Sequence, residues 1–397
     1  MNGSERSGFY VRQPSGYSAY LPRALPPTPS VELSLLANSL SIADQSLGRL
    51  DGATRNLPDI DLFLAMYVRQ EALLSSQIEG TDCTLDDLLA FELDSTSNAI
   101  PALDVQEVVN YVAALNYGID RLSDLPISRR LLCEIHARLL HTGRGSDRSP
   151  GEFRKTQNWI GSKNGGSSID AAAFVPPPPR EMEAAFAELE RYIDGSRDNA
   201  AAFPLLVDCA LVHAQFETIH PFLDGNGRVG RLLITLLLCE RGVLTSPVLN
   251  LSIYLRRHRS KYFELLMEVR DHGAWEPWID FFLRGVAMTA TEAALTAQRV
   301  HAMRETHRRA LEVNGGTLND LAILDRLFSQ PLVNAAWVER SIGVSQPTAN
   351  AILLRFEKSG VLREITGQRR NRVYRYDAYL TLFDQTIYEP SEIETLS

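Results

Sequence analysis

From Val31 to Gly48 apolar positions recur on one helical face, at Leu33, Leu36, Leu40, Ala43 and Leu47. The same period predicts helices over about 59–78, 104–122, 127–141, 180–194, 204–218, 227–241, 258–271 and 274–312. A further helix starts at Thr84, where Thr84-Leu85-Asp86-Asp87 supplies a cap and first-turn acids. Over 148–179 the period breaks. Phe153 to Gly161 alternates as a strand does, a turn rich in Gly and Ser follows, and Ala173-Phe174-Val175 precedes four prolines, so a β-hairpin is predicted over 152–175. Near the end, 333–341 reads as a short helix and Ile342-Gly343-Val344 as a tight turn. Ser345-Gln346-Pro347 caps a second helix that reaches Ser359. Strands at 361–365 and 372–376 then flank Thr366-Gly367-Gln368, which makes a helix-turn-helix followed by a β-wing.

A mainly α protein is therefore expected. Its segments are an extended arm over 1–30 with five prolines, an N-terminal helical domain over 31–103, a core over 104–290, a connecting helix over 291–316 and a winged helix-turn-helix over 317–397. The 397 residues and 45% apolar content suit two or three folded domains. A net charge of −9 argues against wholesale coating of nucleic acid. The segment 345–376 is the exception, with seven basic residues against Glu357 and Glu364. Four cysteines without a C-x-x-C pair read as reduced thiols. The start lacks an apolar leader, and the longest apolar run, Leu232 to Cys239, is too short to span a bilayer. The expectation is a soluble, cytoplasmic protein without a membrane partner.

The densest chemistry lies in His220-Pro221-Phe222-Leu223-Asp224-Gly225-Asn226-Gly227-Arg228-Val229-Gly230-Arg231. It combines a base, a metal-type carboxylate, a glycine-rich turn and two guanidiniums at the start of a helix. Helix N-termini present unpaired N–H groups and a positive dipole end, so they attract phosphate. Gly225 and Gly227 permit close backbone approach. Pro221 and Phe222 read as a wedge that fixes the direction of His220, and Leu223 and Val229 as packing. The segment is a candidate polyphosphate site with a base beside it.

These residues match His-Pro-Phe-x-Asp/Glu-Gly-Asn-Gly-Arg-x-x-Arg at every fixed position, and the chain resembles the Fic family of protein adenylyltransferases. The resemblance implies a Fic-type helical core and transfer of AMP from ATP to a Ser, Thr or Tyr hydroxyl of a target protein, including self-modification. By that resemblance His220 is the general base and Asp224 the Mg²⁺ ligand. Gly225, Asn226, Gly227, Arg228, Val229 and Gly230 line the ATP, and Arg231 clamps the γ-phosphate. The hairpin over 152–175 resembles the Fic flap, with Asn158, Trp159, Ile160 and Gly161 as the edge facing nucleotide and target. Tyr262 resembles a tyrosine that contacts the adenosine part. Helical spacing suits a core role for it equally.

Ser75-Ser76-Gln77-Ile78-Glu79-Gly80 matches a second Fic motif, Ser/Thr-x-x-x-Glu-Gly/Asn. There the resemblance implies an inhibitory helix. Ser75 and Glu79 share a face, Gly80 ends the helix, and Glu79 pairs with Arg231 so that ATP binds unproductively. Three alternatives stay open. They are a different donor (UMP, phosphate or phosphocholine), removal of AMP, and a DNA-binding regulator whose core senses nucleotide. For DNA the candidate contacts are Gln346, Thr348, Asn350, Arg369, Arg370 and Arg372. Apolar N-terminal and core helices would allow a homodimer.

Overall fold

A computed structural model describes residues 3–55, 57, 60–93, 102–161, 168–198 and 203–383. The chain opens with strands β1 (Gly8–Arg12) and β2 (Ser18–Pro22). Five helices follow: α1 (Leu33–Arg55), α2 (Asp61–Ile78), α3 (Leu85–Leu93), α4 (Leu103–Arg121) and α5 (Arg129–Leu139). Next come α6 (Pro179–Asp198), α7 (Leu205–Ile219), α8 (Asn226–Glu240), α9 (Ser252–Arg257), α10 (Arg259–His272) and α11 (Trp275–Val313). The last stretch holds α12 (Leu318–Leu327), β3 (Leu332–Asn334), α13 (Ala335–Ile342), α14 (Gln346–Lys358), β4 (Arg363–Glu364), β5 (Val373–Arg375) and α15 (Asp377–Leu380).

Two compact units share these elements, each assembled from three separate stretches of the chain. The first unit holds residues 1–52, 71–83 and 101–292. At its centre is α7, buried on every side from Leu206 to Ile219, with Asp208, His213, Gln215, Glu217 and Thr218 among its buried residues. Gly230 lets α8 approach α7 closely, since a Cβ there would stand 2.5 Å from Glu217 Oε1 and 3.2 Å from Phe216 Cδ1. Pairs α4–α5 and α6–α7 pack around this centre.

Two expectations for this unit change. The N-terminal arm is an antiparallel hairpin, β1 on β2, with Tyr10 opposite Tyr20. Tyr20 is its anchor: the ring is buried and the hydroxyl donates to the Arg270 carbonyl at 3.0 Å. The hairpin predicted over 152–175 is reduced to one antiparallel bridge, Ile160 on Phe174. Polar groups before Ile160 bond elsewhere instead of forming a ladder, for example Arg154 N–H to the Pro221 carbonyl at 2.9 Å. Its turn at 162–167 lies outside the described residues.

The second unit holds residues 53–70, 84–100 and 293–397. Its three-stranded antiparallel sheet has the order β3–β5–β4. Helices α13 and α14 are joined through left-handed Gly343. Helix α12, which the sequence pattern did not single out, starts with a capping box between Thr317 and Asp320. Phe328, Tyr376, Tyr379 and Phe383 form the aromatic core. No described helix is long and apolar enough to cross a membrane.

Candidate active site

The loop between α7 and α8 is bracketed by two left-handed residues, His220 (φ 51°) and Gly225 (φ 75°). Glycine adopts that backbone freely, whereas histidine is strained in it. Asn226 folds back over the loop. Its Oδ1 accepts from the Phe222 N–H at 2.8 Å and its Nδ2 donates to the Phe222 carbonyl at 2.8 Å. The side chain is buried, so its amide is committed to the loop. The expectation set Asn226 along ATP; the structure instead has its amide brace the loop backbone at Phe222.

Three residues that sequence reasoning missed support this loop and the helix that follows it. The Phe222 ring stacks on His136 at 3.8 Å with 7° between the planes. Gly151 N–H donates to His136 Nδ1 at 2.8 Å, and Nε2 lies 3.0 Å from the Asp224 carbonyl oxygen. An amide N–H can only donate, so Nδ1 is the acceptor and Nε2 carries the proton. Burial pulls the His136 pKa down to about 4, which preserves this neutral tautomer. Buried Arg154 donates through Nε to the His220 carbonyl at 2.9 Å and through Nη2 to the Pro177 carbonyl. His213 is the third. Its Nδ1 lies 3.0 Å from the Gly230 carbonyl oxygen, which fixes the proton there, and its Nε2 accepts from the Tyr262 hydroxyl at 2.9 Å. Tyr262 is thus a core residue with its hydroxyl committed inward, the alternative its spacing left open. Lone histidines in apolar helical patterns carry no sequence signal of such roles.

The His220 ring is half-buried, and its Nδ1, shielded from solvent, has no hydrogen-bond partner. Burial, then the Arg154 and Arg270 cations, pull its pKa down to about 3. A neutral imidazole with a free lone pair can accept a proton without first losing one. Asp224 is 41% exposed, its Oδ1 accepting from the Gly225 N–H at 2.6 Å. Among the described residues no group of three or more His, Cys, Asp or Glu side chains could hold a metal ion. A cation at Asp224 would therefore need the nucleotide's oxygens, which suits Mg²⁺. Gly225 caps α8 without a side chain, so no capping side chain takes up the N–H groups of the first turn, where an anion is favoured.

The two arginines of the segment differ. Arg228 is buried, and its Nε and Nη1 make no hydrogen bond. Arg231 is engaged through Nε and Nη2. Its Nε donates to Ser75 Oγ at 2.8 Å, and its Nη2 donates to the Ser75 carbonyl at 2.9 Å and to Glu79 Oε1 at 2.7 Å. The Glu79 carboxylate also covers the first turn of α8, since a Cβ on Gly227 would stand 2.2 Å from its Oε1. An acidic group there sits where the dipole favours an anion. Gly80 follows with φ 96°. Val229 and Gly230 face the core, Val229 fully buried and Gly230 against α7, so neither lines a nucleotide as expected. Glu217, one turn before His220 and not foreseen, is buried with Oε1 unpartnered, and burial raises its pKa to about 7.

On the flap segment, Asn158 Nδ2 donates to the Phe222 carbonyl at 3.0 Å, and Ile160 bridges Phe174. Trp159 is 43% exposed, and Gly161 has φ 61°. In the second unit Gln346, Asn350, Arg369, Arg370 and Arg372 are exposed and Thr348 is half-buried. The basic excess there is partly answered by acids. Arg355 pairs with Asp320 at 2.6 Å, Arg375 with Asp86 at 3.0 Å and Arg363 with Asp377.

Residues 37–120 match the model of the Fic/DOC family N-terminal domain, and residues 126–238 match that of the Fic/DOC family. The protein adenylyltransferase Fic of Drosophila grimshawi is 30% identical over 176 residues, 44% of this chain and 32% of that protein. Its Aedes aegypti counterpart is 32% identical over 155 residues, 39% of this chain and 27% of that protein. The matched stretch thus spans about a third of these relatives' length. A Fic family protein from Desulfovibrio desulfuricans G20 has the same fold, with a TM-score of 0.54 at 19% identity over 88% of this chain and 97% of that one.

Proposed function

Because this chain belongs to the Fic/DOC family, we propose that it is a self-restrained protein adenylyltransferase. The acceptor is a hydroxyl side chain of a target protein. His220 takes the hydroxyl proton as the oxygen bonds to the α-phosphorus of ATP. The bond from that phosphorus to the bridging oxygen breaks, and pyrophosphate leaves. The first turn of α8, Arg228 and a released Arg231 balance the leaving group's charge. Mg²⁺, held through Asp224 and the nucleotide's own oxygens, would neutralise part of that charge. The exposed flap residue Trp159 and its neighbours would align the acceptor segment by strand addition.

One observation carries the reading: a neutral imidazole whose Nδ1 makes no hydrogen bond ends α7, on the loop into a helix without a capping side chain, and the second arginine of that helix is occupied by Ser75 and Glu79. The competition is for one guanidinium, and charge-assisted pairs with buried partners can win it. The test is incubation with α-labelled ATP of wild type, Glu79→Gly, and Glu79→Gly combined with His220→Ala. Label on protein in the single variant and none in the double variant is expected. Equal label in wild type and Glu79→Gly would refute the restraint, and label surviving His220→Ala would refute the base.

The exposed Arg369, Arg370 and Arg372 favour a second reading, a regulator that binds DNA through a winged helix while its core senses nucleotide. Such a protein would tolerate His220→Ala; a transferase would not.

A further inference from the structure

The Glu107 carboxylate on α4 is buried between groups that neither sequence motif connects. Thr81 Oγ1 donates to its Oε2 at 2.7 Å. Arg228 Nη1 lies 3.6 Å from the same oxygen, and Arg144 Nε lies 3.1 Å from Oε1. Arg144 is steadied in turn by Asp104 at 2.8 Å. Thr81 stands two residues beyond Glu79 and is itself buried.

Before Glu79, the second half of α2 is held by other bonds. Tyr111 and Ser252 hydroxyls donate to Glu71 Oε1 at 3.1 and 2.5 Å, and Arg259 Nε donates to the Ile78 carbonyl at 3.0 Å. Glu79 therefore lies between a fixed helix on one side and the Thr81–Glu107 bond on the other. The backbone that carries Glu79 swings away from Arg231 by bending at Gly80, and Thr81 limits that bend.

We propose that Glu107 is a positioning residue that ties the Glu79 segment to Arg228, so that both arginines of the active-site segment are engaged by one restraint. The proposal rests on the AMP-transfer reading. Arg228 is held by charge alone, without a directional bond through Nε or Nη1. Polyphosphate arriving at α8 must draw Arg228 toward itself and away from Glu107. Glu107 then loses a counter-charge, its hold on Thr81 shifts, and Glu79 gains room to leave. Nucleotide binding and release of the restraint are coupled through this carboxylate.

The test uses the full chain with Thr81→Val, which keeps shape and removes the hydroxyl, and Thr81→Ser, which restores it. Thr81→Val should raise transfer from α-labelled ATP by roughly tenfold, the effect of one lost bond to a charged acceptor. Thr81→Ser should return it to the wild-type level, and Thr81→Val should add little to Glu79→Gly. Amide exchange over 76–83 should quicken in Thr81→Val and not in Thr81→Ser. Should Thr81→Val fail to fold, Thr81→Ala, which also removes the hydroxyl, carries the same expectations. An active Glu79→Gly beside a folded Thr81→Val that transfers and exchanges as wild type would overturn the anchor. An inactive Glu79→Gly beside quickened exchange would keep the anchor and discard the reaction.

Discussion

Replacing Asn226 by alanine tests whether its amide braces the loop or holds phosphate. The amide satisfies both backbone groups of Phe222, each at 2.8 Å, and Phe222 is fully buried. A buried backbone group left without a partner costs about 1–3 kcal/mol, so two orphaned together cost roughly 2–4 kcal/mol after partial relaxation. For a unit of this size that is a fall in melting temperature of roughly 4–16 °C. Transfer should fall as well, because displacement of His220 and Asp224 by about 1 Å can cost ~10²-fold. Asn226→Asp is the informative companion. It keeps the acceptor for the Phe222 N–H and sets a second oxygen against the Phe222 carbonyl, so its loss of stability should be comparable. Calorimetry without nucleotide and ATP titration of the same samples separate the two roles. Unchanged melting in Asn226→Ala with weakened ATP binding would refute the brace and restore the phosphate contact.

Glu79→Gln should raise AMP transfer by roughly 5- to 30-fold, the loss of a charge-assisted bond discounted for the half-exposed carboxylate. Gly230→Ala should destabilise by about 1–3 kcal/mol in urea, because its methyl meets Glu217 and Phe216. Glu217 has its pKa raised to about 7, so the folded state holds a proton that the unfolded chain has already lost, and wild type loses stability as pH rises toward 8. Relative to wild type, Glu217→Gln should therefore gain stability between about pH 5 and 8, and a constant difference in urea midpoint would contradict this. His136, His213 and His220, pulled down to about 4, 3 and 3, act oppositely. Their stability contribution is complete above about pH 6.5 and lost as pH falls toward 3, so urea midpoints should drop over that acid range, and less steeply in His136→Gln.

Much of this was legible beforehand for a physical reason. Long helices with a sustained apolar face, such as α1, α4, α7 and α10, announce themselves by period. His220 to Arg231 and Ser75 to Gly80 are contiguous runs, so each can be matched to a motif, and their pairing was what the family resemblance implied. Short elements defeated the reading. Helix α9 has six residues, α12 follows Gly315-Gly316, and the N-terminal hairpin hides among prolines. The flap alternates in polarity, yet its groups bond to the Phe222 and Pro177 carbonyls rather than to a facing strand. Glu107, His136, Arg154 and His213 act through partners distant in sequence, and no local pattern marks such pairings. Asn226 was misread for a related reason: an amide beside a glycine turn fits an anion or its own loop equally well until the loop's backbone is seen.

The left-handed backbone at His220 bears on what selection has been acting upon. Glycine or asparagine would relieve that strain, so random drift should erode histidine there in any lineage that needed only a nucleotide-responsive scaffold. Histidine stands at this corner of the loop at a standing cost to the fold. On the transfer reading, His220→Gly should be inert in chemistry yet melt at a higher temperature than wild type, the mark of strain that serves a proton and not the chain.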